Sequence, residues 1–277
     1  MNTRLLNMAL LVSMLMLLAA RQAQVTPVPE SGEEQVPEET QTEDLSMRIL
    51  TQNNNSAEFV LEGDLLFPKT RNAMMCWNNA CHWPKGSDGK VSVAYTISSA
   101  FQSSERRLIS TALSEIESET CIRFVPRSNE NDYVSVENEE GCFSILGKQG
   151  GKQVLFLQRS GCIYKGIIQH EFLHALGFRH EHTRSDRDQY VRINWANVDP
   201  SKEFNFNKAD TNNQGTPYDY DSIMHYGRAV FSKNGGDTVI PLSQAGVNIG
   251  LKQVLSCWDI QRVNMLYKCS IPTKTCN

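Results

Sequence analysis

The chain has 277 residues, 40% hydrophobic and 21% charged, with a formal net charge of −4 and eight cysteines. It is too long to be a miniprotein held by disulfides alone, and its single long apolar run, at the extreme N-terminus, excludes a polytopic membrane protein. The acidity is local: residues 24–71 carry ten acidic and three basic side chains, whereas residues 72–277 carry 21 acidic and 22 basic, so no basic block points to a nucleic-acid partner.

Arg4, the run from Met8 to Ala20 broken only by Ser13, and the small residues Ala19, Ala20 and Ala23 read as a signal peptide over residues 1–23. The run is shorter than the roughly 20 apolar residues of a spanning helix. A secreted, extracellular protein without a stable membrane anchor is expected, with storage in secretory granules as one route. In an oxidising compartment the eight cysteines form four bridges, although their number allows on the order of a hundred pairings. Residues 24–43 are rich in Pro, Glu, Gln and Thr and bury too little to offset ordering entropy, which predicts disorder. Leu45 to Arg71 regains some apolar residues and holds the glycosylation sequon Asn54-Asn55-Ser56. All eight cysteines follow Arg71, which sets the boundary between a pro-segment over 24–71 and a disulfide-bonded domain over 72–277.

Within that domain, alternation from Val91 to Ile97 predicts a strand. Ser103 or Ser104 caps a following helix in which Leu108, Ala112 and Ile116 recur at i, i+4 and i+8. Strand-like runs follow at Cys121–Val125, Tyr133–Glu137 and Val154–Gln158. A second helix runs from about Gly166 to Leu176 and stops at Gly177, since glycine accepts the left-handed conformation that ends helices. Polar stretches then dominate until a final helix near Ser256 to Tyr267. The order predicts an α+β domain with a loop-rich C-terminal half.

The chemistry is concentrated in His170-Glu171-Phe172-Leu173-His174-Ala175-Leu176-Gly177-Phe178-Arg179-His180. Two histidines four apart share one helix face and can hold one zinc ion at about 2.0–2.1 Å. Gly177 breaks the helix and lets His180 reach the same ion. Three protein ligands leave a position for water, whose pKa zinc lowers to about 7, and Glu171 beside the metal is placed to take its proton. A structural zinc site closes the fourth position and has no use for that carboxylate, so a binding or matrix protein with a structural zinc is the weaker alternative.

The stretch His170 to Asp188, HEFLHALGFRHEHTRSDRD, resembles the astacin family of metzincin metallopeptidases, with Glu181 at the family's glutamate after the third histidine. Ser222-Ile223-Met224-His225-Tyr226 is similar to the family's Met-turn. The resemblance extends over about Leu61 to Cys269. It implies a metzincin fold with a twisted mixed sheet and two long helices in the N-terminal half, a loop-rich C-terminal half, and a substrate cleft between them. It also implies a zinc endopeptidase made as a zymogen, with one zinc per subunit. His170, His174 and His180 are the implied ligands, Glu171 the general base, Met224 the apolar floor under the metal, and Tyr226 a movable ligand that turns to the oxyanion. Leu61-Glu62-Gly63-Asp64 resembles the family's aspartate switch, with Leu61 where an aromatic residue is common and Phe59 nearby. Asp64 is then a zinc ligand of the latent proenzyme alone.

By the same resemblance Cys121 pairs with Cys269 and Cys142 with Cys162, while Cys76 and Cys81 match the extra pair of the six-cysteine astacins of fish, the hatching-enzyme and nephrosin-like group. Cys257 and Cys276 exceed that set. About 12 residues of helix separate Cys257 from Cys269 by roughly 18 Å, and seven extended residues span about 23 Å, so a Cys257–Cys276 bridge is expected; a free Cys257 with an intermolecular Cys276 is the alternative. The expected partners of this monomer are a protein or peptide substrate and a trypsin-like activator cutting after Arg71 to free Asn72. In shorter astacins the new N-terminus reaches the glutamate matching Glu181. Arg228 is read either as substrate-facing or as a solvated charge, and His82, His182 and His225 are unassigned. Egg-envelope digestion competes with cleavage of matrix, plasma or microbial proteins.

Overall fold

Leu45 and Ile49 stand one helical turn apart in the acidic leader, and both are buried. They lie on α1 (Leu45–Asn53), whose N-cap Asp44 accepts from the amide of Met47 at 3.1 Å. A short hairpin follows, β1 (Val60–Leu61) against β2 (Leu65–Leu66). In this computed structural model the described residues are 43–54, 56, 58, 60–66, 81–243, 246–271 and 275–276. The expected signal peptide and disordered stretch up to residue 42, Asn55 of the sequon, Phe59, the Arg71–Asn72 bond and Cys76 all lie outside them.

The alternating run forms β3 (Val91–Ile97), and α2 (Ser103–Glu119) follows. The N-cap is Gln102, and neither serine caps the helix. Glu105, three residues on, accepts from the Gln102 amide at 2.6 Å, so the carboxylate half of a capping box sets the start and draws both serines into the first turn. Next come β4 (Ile122–Pro126), β5 (Tyr133–Glu137), β6 (Cys142–Ile145) and β7 (Lys152–Leu157). β7 starts two residues before the expected run, because Tyr133 of β5 pairs with Lys152.

The seven strands are ordered β1-β2-β6-β7-β5-β3-β4. β3 pairs in parallel with β4 and β5, β5 with β7, and β2 with β6, while β6 runs antiparallel to β7. The leader hairpin therefore extends the sheet beyond β6. α3 (Lys165–Ala175) packs on the sheet beside α2. Val93, Val134, Val136 and Leu155 meet Ile109 and Ile116 of α2 and Ile167 and Phe172 of α3 in one core. Burying each such side chain contributes about 1.5–3 kcal/mol.

The C-terminal half has little regular structure. It contains three 3-10 turns, the two-stranded ribbon β8 (Val191–Ile193) with β9 (Val239–Pro241), and α4 (Cys257–Leu266). Ser256 caps α4 and pairs reciprocally with Asp259. A second apolar cluster of Val191, Phe206, Tyr218, Tyr226, Val230 and Val239 supports this half. Disulfides join Cys121 to Cys269, Cys142 to Cys162, and Cys257 to Cys276, and Cys81 is disulfide-bonded as well. Among the described residues no helix is long and apolar enough to cross a membrane.

Candidate metal centre

α3 carries His170, Glu171 and His174 at zero to one per cent exposure, because the helix is buried along almost its whole length. The amide of Gln169 fixes the helix against α2 through the Ala112 carbonyl at 3.2 Å and Glu115 at 2.8 Å. The helix ends at Gly177, whose φ of +103° suits glycine. Its amide and that of Phe178 return to the carbonyls of His174 and Leu173 at 2.8 and 3.0 Å. The chain then doubles back and delivers His180.

The Nε2 atom of His170 lies 3.1 Å from that of His174 and 3.2 Å from that of His180. Asp64, carried on the loop between β1 and β2, completes the group, with carboxylate oxygens 3.1, 3.3 and 3.2 Å from the three ring nitrogens. All four donors lie within 4.8 Å of one another and are buried. Each Nδ1 is already committed as a donor: His170 to the Ile223 carbonyl at 2.9 Å, His174 to the Phe178 carbonyl at 2.7 Å, and His180 to Glu62 at 3.0 Å. Neutral rings held in that tautomer aim three lone pairs and one carboxylate at a common point, which repels unless a cation sits there. The fit is also metric, since a tetrahedron with arms of about 2.0 Å has edges of about 3.3 Å.

In the absence of a cation, burial pulls His174 down to about 4. At His180 burial acts the same way but is outweighed by Asp64 and Glu62, which push it up to about 9. A dication replaces such protons as the partner of the Asp64 carboxylate. Beside the cage Glu171 is fully buried, and neither of its carboxylate oxygens has a hydrogen-bond partner among the described residues. Burial first, then the charge of Asp64, push its carboxyl well above the usual range.

The turn Ser222–His225 closes on its own backbone at 3.0 Å, and Met224 is buried among Ile223, Phe172 and Leu173. Asp259 at the start of α4 braces the turn, accepting from the Ser222 hydroxyl at 2.6 Å and the Ile223 amide at 2.9 Å. The Glu181 amide donates to the Met224 carbonyl at 3.0 Å, so the segment after the third histidine is tied to the same turn. In the uncut chain the Glu181 carboxylate receives both Arg262 nitrogens at 2.7 and 2.9 Å, Arg184 at 3.2 Å and the Asp219 amide at 2.7 Å. Arg262→Ala leaves that buried carboxylate short of its main partner, and a loss of about 3 kcal/mol in unfolding free energy is expected by chemical denaturation.

Tyr226 is buried, stacks on His182 with centroids 3.8 Å apart, and donates its hydroxyl to the Glu62 carbonyl. Arg228 is engaged with Asp237 at 3.2 Å and the Val247 carbonyl at 2.7 Å, which accounts for it as a loop anchor. Among the unassigned histidines, His225 accepts from the Tyr218 hydroxyl at 2.8 Å and His82 packs against Tyr267. The residue missed by sequence reasoning is Glu62: besides His180 it pairs with Arg179, and His180 together with Arg179 outweighs the cost of burial and lowers its carboxyl to about 2. Its place beside Asp64 was the available signal, but only the fold brings it to Arg179, 117 residues away.

A three-histidine cage on a broken helix, a partnerless carboxylate next to the first histidine and a tight methionine turn below define a metzincin-type zinc peptidase. The profile described as Astacin, a peptidase family, matches residues 78–268. The chain belongs to the astacin family and is a zinc metalloendopeptidase with one zinc as its cofactor. It is 54% identical to high choriolytic enzyme 1 of Oryzias latipes, over 82% of this chain and 84% of that one. It is 50% identical to the low choriolytic enzyme of the same fish, over 93% and 97%. The solved structure of high choriolytic enzyme 1, a hatching enzyme zinc-protease from medaka, superposes with a TM-score of 0.68, covering 72% of this chain and all of that one.

Proposed function

We propose that the protein is a secreted zymogen whose mature form digests proteins of an egg envelope. The observation that carries the latent state is the insertion of the Asp64 carboxylate among His170, His174 and His180 from a segment N-terminal to every cysteine. Residues 1–23 are read as the signal peptide, 24–71 as the pro-segment, and 72–277 as the peptidase domain, freed by a trypsin-like cut after Arg71. The substrate class is suggested by the hatching-enzyme relatives; no second substrate class has an observation of its own.

His170, His174 and His180 would hold the zinc, with Asp64 as the fourth donor while the chain is uncut. When bound, the ion supplies Lewis acidity that acidifies water and polarises a peptide carbonyl. Glu171 is the general base: its two partnerless oxygens take a proton from the attacking water and return it to the departing amine. Tyr226, drawn to the Glu62 carbonyl in the latent chain, is freed when the pro-segment leaves and donates its hydroxyl to the developing oxyanion. The outer edge of β6, covered by β2 in the latent chain, presents backbone groups that align an extended substrate whatever its side chains.

Tyr226→Phe is expected to lower kcat by about a hundredfold while KM moves little, since its hydrogen bond forms chiefly in the transition state. Steady-state kinetics on a quenched peptide separate the two constants, and an unchanged kcat removes Tyr226 from the mechanism. The test of function is digestion of isolated fish egg envelopes by trypsin-activated protein, abolished by a zinc chelator and restored by zinc. N-terminal sequencing of the active species should read Asn-Ala-Met from Asn72. Active enzyme that hydrolyses gelatin and leaves envelopes intact overturns the substrate assignment.

A further inference from the structure

The groove that grips α1 is shaped around its occupant in detail. The Asp44 carboxylate sits against Gly227 and Gly250, the Gly227 amide donates to the Ser46 hydroxyl at 2.9 Å, and the Leu45 amide donates to the Gly250 carbonyl at 2.9 Å. The Gln253 side chain donates to the Glu43 carbonyl at 2.8 Å, and the Arg48 guanidinium lies 3.7 Å over the Tyr164 ring. At the other end of the helix the Asn53 carboxamide meets Cys142 as a strand would, receiving its amide at 2.7 Å and donating to its carbonyl at 2.8 Å.

Two glycines record this fit on the peptidase side. Neither Gly161 nor Gly227 has a positive φ, so the backbone does not require glycine at either position. A Cβ at Gly227 would lie 1.5 Å from an Asp44 oxygen, and one at Gly161 would lie 2.1 Å from Gln52. At both positions the three nearest atoms belong to that one leader side chain. The missing methyl groups make room for the leader and for nothing closer in the peptidase domain.

A cut between Leu66 and Cys81 breaks none of these contacts. It removes only the covalent tether, and hence the high effective concentration that the tether provides. We infer that the groove keeps hold of α1 after cleavage, so that the severed pro-segment remains a noncovalent, dissociable inhibitor of the mature domain. The inference rests on the reading of residues 24–71 as a pro-segment. It makes activation two events, a cut and a release, and makes specific activity depend on protein concentration.

The test uses the full chain, cleaved with trypsin and left unseparated. On gel filtration at high concentration the leader fragment containing residues 43–66 should co-elute with the peptidase domain, identified by mass. Specific activity on a short peptide should rise about tenfold as the mixture is diluted about a thousandfold, as mass action requires of a dissociable inhibitor. Leu45→Ala with Ile49→Ala changes the leader alone, so the mature enzyme is chemically unchanged, and the dilution effect should vanish. If that chain fails to fold, Arg48→Ala, which loses a single contact, should move the dilution curve to higher concentrations. Separate elution with activity independent of dilution overturns the inference while the uncut chain stays latent. An uncut chain as active as the cleaved one overturns the pro-segment reading itself.

Discussion

Glu171→Gln is expected to bind one zinc per chain and to lose between about a hundredfold and ten-thousandfold in kcat, the range general-base catalysis supplies. The physical ground is the separation of roles at α3. His170 and His174 have their Nδ1 protons committed to carbonyls and their Nε2 atoms turned to the cage. Glu171 stands beside them on the same helix with both oxygens buried and without hydrogen-bond partners. An amide of the same shape keeps the packing and cannot accept the proton. Metal content by atomic absorption and kcat by a peptide assay give the two readings independently. Turnover near the wild-type value with zinc retained sinks the assignment of the base, and loss of zinc together with activity makes Glu171 part of the metal site.

Asp64→Ala in a chain kept uncut at Arg71 should show peptidase activity where the wild-type proenzyme is almost silent. The expected gain is at least about tenfold, which corresponds to removing an interaction of about 1.4 kcal/mol. Alanine leaves the three ring nitrogens in place and takes away the only carboxylate that reaches them in the donor group. It does not remove α1 or the pairing of β2 with β6, so activity short of the mature enzyme is expected, limited by access. Glu62→Gln is the informative control. It keeps Asp64 in the cage but weakens the ion pair with Arg179 and the contact with His180, and should give a smaller gain. Equal silence of the wild-type and Asp64→Ala chains shows that latency is steric and reduces Asp64 to a turn residue.

The sequence by itself determined the chemistry, because that chemistry is written in short spacings. His170 and His174 share a face by helix geometry, Gly177 ends the helix wherever it is placed, and His180 follows within reach. The α+β order, α2, α3, α4 and most of the central strands were legible for the same reason, as periodicity needs only a local window. What it left blank was the leader: α1 is nine residues long and β1 and β2 two each, too short to announce themselves, and they hold shape because β6 and the α1 groove hold them. The partners of the site were equally out of view. Glu62 meets Arg179 across 117 residues, Tyr226 meets Glu62 across 164, and Cys142 meets Asn53 across 89. Contacts of that separation have no spacing rule, since the loops between them accept many lengths at little entropic cost. Only the folded sheet, with the leader as its outermost strands, decided which carboxylate, carbonyl and amide would face the zinc cage.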